Sequence, residues 1–279
     1  MDNSWVVDNL QKAFSTWNDR MEELWGLLTQ SPETFKDGAI WNAMVGINGT
    51  LQAIGYGLLV LFFAINLFRS AASFRDFQRP EYALRQLIQF VLAKTAITYG
   101  LEFLTKIFAI CNGIVASAAG SIGGVEGASI TMPDEIINAI NDVSFWHSIP
   151  LWLITLMGTF FITILAFIMI LTVYGRFFKL YMYAALSPIA LSSFVGSSTS
   201  FIGKSFLKSY IGVCMEGAVI VLACIIFTAF ASSGAPPIAE DVSMVTQVWT
   251  YLAETVFNLL ILVGLTKTAD RIVKEMFGV

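Results

Sequence analysis

Three carboxylates and two amines stand inside stretches apolar enough to enter a bilayer: Glu102, Glu216 and Glu254, with Lys94 and Lys106. An ionised group at membrane depth is costly and normally faces a protein interior or a water-lined path. Such groups either neutralise one another or exchange protons and ions. Glu102 and Lys106 are four residues apart with Glu first, the favourable order for a helix ion pair. They are expected to seal helix contacts, to lie on an extension beyond the bilayer, or to line a conduit. Glu216 and Glu254 are expected to pair with Lys94 or Lys106 across helices, or to act as proton sites. A second group, Arg176, Lys179, Ser187 and Pro188, sets a basic helix end before a helix-disfavouring Ser-Pro step.

Little else could carry chemistry. Residues 198–205, STSFIGKS, approach the phosphate-binding GxxxxGK[ST] pattern, but Ser198 replaces the first glycine and no strand precedes it. Cys111, Cys214 and Cys224 fall in apolar stretches without a CxxC neighbour and read as small buried hydrophobes. His147 is the single histidine and is expected at a membrane interface. No HExxH or GxSxG motif occurs. The expectation is a protein that is not an enzyme, with no cofactor and no metal.

The elements that must position these residues are membrane helices. Of the 279 residues, 56% are hydrophobic and 13% charged, against about 25% charged in soluble domains. The fold class is therefore all-α, a polytopic transmembrane protein. The opening MDNSWVVDNLQKAF is acidic and lacks both a basic and an apolar leader region, so the first hydrophobic helix is expected to serve as an uncleaved insertion signal.

Residues 1–37 read as an external region built on an amphipathic helix. Leu10, Phe14, Trp17, Met21, Leu24 and Leu28 form one helical stripe, with Asp8, Lys12, Asp19, Arg20, Glu22 and Glu23 mostly off it. Ser31, Pro32 and Glu33 suggest a new helix start. Residues 38–279 form the membrane domain, with crossings near 47–68, 86–119, 148–175, 205–232 and 248–266. In the first crossing Gly49, Ala53 and Gly57 offer a small-residue packing face.

Residues 180–203 are uncharged, yet Pro188 sits near their centre and a Gly/Ser/Thr run ends them. Arg176 and Lys179 precede them, and Lys204 and Lys208 follow. A segment crossing once would strand one basic pair outside. The stretch is therefore expected to be a Pro-broken re-entrant or interfacial segment. Basic residues then gather on one side: Arg69, Arg75, Arg79 and Arg85, the four just named, and Lys267, Arg271 and Lys274. The loops 120–147 and 233–247 carry only acidic charge. By the positive-inside rule this gives five crossings, an external N-terminus and a cytoplasmic C-terminus.

Residues 176–194, RFFKLYMYAALSPIALSSF, resemble the signature region of the TrbL-like (VirB-six-like) polytopic component of type IV secretion and conjugal transfer machines. There a membrane helix ends in Arg or Lys and an apolar run with a central Ser-Pro follows, here Arg176, Lys179, Ser187 and Pro188. The resemblance implies a non-enzymatic channel or scaffold subunit of the bacterial cytoplasmic membrane. It would help pass single-stranded DNA bound to its relaxase, or protein, across that membrane. The implied partners are ATPases and other secretion subunits, extracytoplasmic stalk or pilus proteins, further copies of the chain, and membrane lipid. On this reading the acidic helix contacts extracytoplasmic partners. Arg69, Arg75, Arg79, Arg176, Lys179, Lys204 and Lys208 form a basic rim toward cytoplasmic subunits or anionic lipid. The competing readings are a secondary transporter, in which the embedded Glu102, Glu216 and Glu254 would be sites, and a small pore-forming protein.

Overall fold

The computed structural model describes residues 4–72, 80–120, 129–141, 145–196, 198–232 and 243–278. These are 93% helical, with no strand among the described residues. Eight α-helices follow in order among them: α1 (Ser4–Thr29), α2 (Ala39–Ala72), α3 (Pro80–Thr98), α4 (Gly100–Gly120), α5 (Asp134–Asn141), α6 (Phe145–Ser192), α7 (Ser200–Ser232) and α8 (Met244–Phe277). Five segments are long and apolar enough to cross a membrane: Phe35–Arg69, Gly100–Gly120, Pro150–Val195, Ser200–Phe230 and Met244–Phe277. Large apolar side chains such as Phe68, Ile110, Phe160, Leu171 and Phe257 stand exposed on them, as lipid-facing residues do. The chain is an all-α, multi-pass membrane protein.

Two compact units divide it. One comprises Met1–Thr29, Val115–Tyr174 and Gly217–Ala269, the other Gln30–Ile114, Gly175–Glu216 and Asp270–Val279. In the first unit the predicted stripe of α1 is fully used: Leu10, Phe14, Trp17, Met21, Leu24 and Leu28 are all buried. Val6, Val7 and Leu10 pack with Ile136 and Ile140 of α5, Leu151 of α6, and Val248 and Leu252 of α8. Helices α1 and α6 run side by side in the same direction. Trp5 meets Trp152, Arg20 lies over the Phe167 ring at 5.5 Å, and Glu23 accepts the Tyr174 hydroxyl hydrogen bond at 3.0 Å.

In the second unit α2 runs alongside the C-terminal part of α6, again in the same direction. Phe35 stacks on Phe177 with ring centroids 4.2 Å apart, and Tyr181 donates to the Pro32 carbonyl at 2.9 Å. Further along, Asn48 donates to the Ala184 carbonyl at 2.6 Å and to the Ser187 hydroxyl at 3.0 Å. Leu59 then packs with Leu191 and Val195, and with Ala93 and Ile97 of α3. Gly55 meets α6 so closely that a Cβ there would stand 2.8 Å from the Pro188 carbonyl oxygen.

These contacts explain a departure from expectation. The segment 180–203 does not break at Pro188, because α6 continues through it to Ser192. Proline removes the N–H that would bond the carbonyl four residues back, that of Ala184. Asn48 and Ser187 both donate to this carbonyl, so it is not orphaned. The chain turns only later, through the 3₁₀ segment Ser193–Val195 and Gly196. There Thr199 donates to the Ser193 carbonyl at 2.8 Å, and the Ser200 amide bonds the Gly196 carbonyl at 2.9 Å. At 48 residues α6 is about 70 Å long, more than twice the roughly 30 Å hydrocarbon core. Residues 176–192 are therefore an extension of the third crossing helix and not a separate re-entrant hairpin.

Three smaller expectations change as well. The helix expected over 86–119 bends at Tyr99, between α3 and α4, although the Tyr99 and Phe103 amides keep their helical bonds. Ser31 opens a turn instead of a helix, and left-handed Lys36, Asp37 and Gly38 lead into α2 at Ala39. A Cβ added at the exposed Gly49 or Gly57 would meet nothing within 4 Å, so the packing glycine of α2 is Gly55, on the Asn48 face.

Replacing Asn48 with Leu should destabilise the full chain by about 1–2 kcal/mol, since the Ala184 carbonyl then loses its cross-helix donor. Gly55→Ala should cost about 1–3 kcal/mol by forcing two backbones apart. Thermal unfolding of the purified protein in detergent reads both. Unchanged melting in both variants would remove the α2–α6 contact from its place in the fold.

Candidate functional site

The second unit brings charges from three helices together at one place. Lys179 on α6 donates to Glu216 of α7 at 2.9 Å and to Asp270 of α8 at 2.7 Å. Lys274, one turn along α8, donates to the other Asp270 oxygen at 2.8 Å. The Glu216 side chain is only 7% exposed, whereas those of Lys179 and Asp270 are about one-third exposed. Three helices are thus joined by one amine. Burying Glu216 without this amine would leave an uncompensated charge, which is the expensive case.

Arg176 lies one helical turn before Lys179 and is almost fully buried. Its Nε donates to the Val213 carbonyl at 3.3 Å and its Nη2 to the Cys214 carbonyl at 3.2 Å, while the guanidinium sits over the Phe108 ring at 5.5 Å. Its fork uses helix carbonyls of α7 as acceptors and an aromatic face of α4 as a further partner. Arg176 therefore does not belong to an exposed basic rim. Leu104, Phe108 and Cys111 of α4, Leu180 of α6, and Tyr210, Val213 and Cys214 of α7 form the apolar cluster around it. Cys111, Cys214 and Cys224 are free and buried.

Ser187 and Pro188 lie at the α2 contact, with Ser187 fully buried there. The remaining embedded charges are not brought to this cluster. Lys94, Glu102 and Lys106 are exposed, and Glu254 is half-buried in the first unit. Among the described residues Glu102 and Lys106 form no ion pair within 4 Å, and Glu216 pairs with Lys179, not with Lys94 or Lys106. Lys204 and Lys208 are exposed on α7, as are Arg69 and Arg85 on α2 and α3. Arg75 and Arg79 lie outside the described residues, and the side chain of His147 does too. Gly203 of the phosphate-loop-like run is helical and packs against Phe194.

Asn48 and Asp270 were not singled out by the sequence. Asn48 left a faint signal as a polar residue in an uncharged span. Asp270 left none, because it stands in a mixed-charge tail, and only folding brings it against Lys179.

Beside the ionic cluster lies a cavity of about 620 Å³. Its walls come from α2, α6, α7 and α8, and its lining is mostly apolar, with Lys179, Glu216, Asp270 and Lys274 among its polar members.

Residues 17–188, more than half of the chain, match the model of the TrbL/VirB6 plasmid conjugal transfer like protein family. The chain belongs to this family. It is a component of conjugal transfer or type IV secretion machinery, a class of structural subunits that work in a complex with others. No curated protein and no solved structure matches the chain. The matched segment ends at Pro188 and includes Arg176, Lys179 and Ser187.

Lys179→Met should cost about 3 kcal/mol, because Glu216 stays buried without its cation. Glu216→Gln should cost less, since Lys179 keeps Asp270. The double variant Lys179→Met/Glu216→Leu should regain most of the loss. Melting of the three purified variants tests this, and equal losses for the two single variants would contradict it.

Proposed function

We propose that this protein is a non-enzymatic channel scaffold of the bacterial cytoplasmic membrane, helping single-stranded DNA bound to its relaxase, or protein, to cross. The observation carrying this reading is the family match over residues 17–188. The geometry around Arg176, Lys179, Ser187 and Pro188 supports a scaffold in particular. Each of these residues joins one helix to another, and the buried carboxylate Glu216 is neutralised by a lysine on a neighbouring helix. A transporter site built on Glu216 would need that carboxylate available to a substrate ion.

The proposed orientation places the N-terminus outside and the C-terminus in the cytoplasm. An odd number of candidate spans supports it. The short turn after Ser192 supports it too, because Arg176, Lys179, Lys204 and Lys208 would then share one side of the bilayer. The N-terminal end of α1, where Trp5 meets Trp152, would meet extracytoplasmic stalk or pilus proteins. The exposed Arg69, Arg85 and Lys204 would meet ATPases, other cytoplasmic subunits or anionic lipid. The exposed apolar helix faces would meet lipid and further copies of the chain.

Deletion of the gene from its mobile element should abolish transfer to a recipient while relaxase nicking of the DNA continues, and the intact gene should restore transfer. Transfer that persists without the protein would refute the reading. In a background free of the three cysteines, Cys introduced at Ser129 and Ser243 should label from outside. Cys at Ser200 and Gly278 should label from inside.

A further inference from the structure

The cavity of the second unit has a division of chemistry that the scaffold reading does not use. Leu58 and Phe62 of α2 and Met182, Leu186 and Ile189 of α6 make apolar walls, joined by Ile202 and Phe206 of α7. The same lining includes Lys179, Lys208 and Lys274, with Glu216 and Asp270. The lining therefore carries three cations against two anions. Lys179 is held by both carboxylates and Lys274 by Asp270. Lys208 has no ion pair among the described residues, so one positive charge in the lining is left uncompensated.

Size separates the possible occupants. At about 620 Å³ the cavity lies within the roughly 300–1,000 Å³ of single-molecule sites. A helix about 10 Å wide rising 1.5 Å per residue takes up about 120 Å³ per residue. The cavity would hold only about five residues of such a helix, too little to seat a partner helix. Met182, Leu186 and Ile202 are about half-exposed members of its lining. The cavity thus opens along exposed apolar side chains within two segments apolar enough to cross a membrane, Pro150–Val195 and Ser200–Phe230, a setting suited to an acyl chain.

We propose that this cavity is a binding site for one anionic phospholipid. An acyl chain would lie against the α2 and α6 walls, and the phosphate would be held by Lys208 with Lys274 beside it. The bound lipid would fill the space between α2 and the α7–α8 pair, acting as a structural ligand of the second unit.

The full-length protein, purified in detergent, is incubated with mixed micelles of phosphatidylglycerol and phosphatidylcholine. It is then repurified, and retained phospholipid is measured by mass spectrometry. The intact protein should retain phosphatidylglycerol in preference to phosphatidylcholine. Lys208→Gln should lower that preference several-fold. Lys204→Gln, an exposed lysine outside the lining, should leave it unchanged. Ala190→Phe, which projects into the cavity, should lower retention of both lipids. Soluble glycerol phosphate should not displace the lipid, because it lacks the chain.

Equal retention by Lys208→Gln and Lys204→Gln would overturn the proposal, as would equal retention of the two lipids or displacement by glycerol phosphate alone. A photo-cross-linker placed at Leu186 in living cells should label lipid, and labelling of a protein instead would assign the cavity to a partner. Every one of these readouts is independent of DNA transfer, so failure here leaves the scaffold reading intact.

Discussion

The second unit depends on the fate of one carbonyl. Pro188 cannot donate to Ala184, and in a low-dielectric setting an unpaired peptide oxygen is too costly to leave. Asn48 reaches across from α2 and Ser187 turns back from within α6, so the oxygen is satisfied twice. The same contact sets the spacing of the helices. Gly55, two turns beyond Asn48, lets the backbone of α2 rest on the Pro188 carbonyl. Leu59 follows on the same face and closes the apolar cluster with α3. A defect in one helix thus becomes the register mark for its neighbour.

Electrostatics in this unit follows a similar rule. Buried charge is allowed where each group has a fixed partner. Arg176 directs its donors to helix carbonyls and a ring face, and Lys179 bridges two carboxylates from two helices. By contrast Lys94, Glu102 and Lys106 stand exposed on α3 and α4, where their charge is answered by whatever surrounds the chain. The family relation makes the chain part of a complex with other subunits.

Much of the helical framework was legible in the sequence, because membrane helices are specified by length and polarity, which are local properties. The stripe of α1 was legible for the same reason: each of its residues occupies the position that a 3.6-residue period assigns. What escaped was pairing. The local rule for Pro188 is a break, and it fails because Asn48, 136 positions before the Ala184 carbonyl, compensates it. Gly49, Ala53, Gly55 and Gly57 are all small, and nothing local says that only the Asn48 face will meet another helix. Glu216 was recognised as embedded, but Lys179 lies 37 residues away along the chain and Asp270 on a later helix. Only the packing of α6, α7 and α8 joins the three.

The division of the chain into two units has a consequence for biogenesis. Helices α4, α6, α7 and α8 each contribute residues to both units, so neither unit corresponds to a continuous stretch that a ribosome could deliver first. Val248 and Leu252 of α8 complete the core around α1, and Asp270 of the same helix completes the ionic cluster. Until α8 has entered the bilayer, Glu216 faces Lys179 without the second carboxylate, and the apolar stripe of α1 lacks one of its walls. Both the α1 core and the ionic cluster are thus complete only once α8 is in place, and helices with uncovered apolar faces are prone to aggregate before then. The insertion machinery, or neighbouring subunits already in the membrane, would be required to shelter them during that interval.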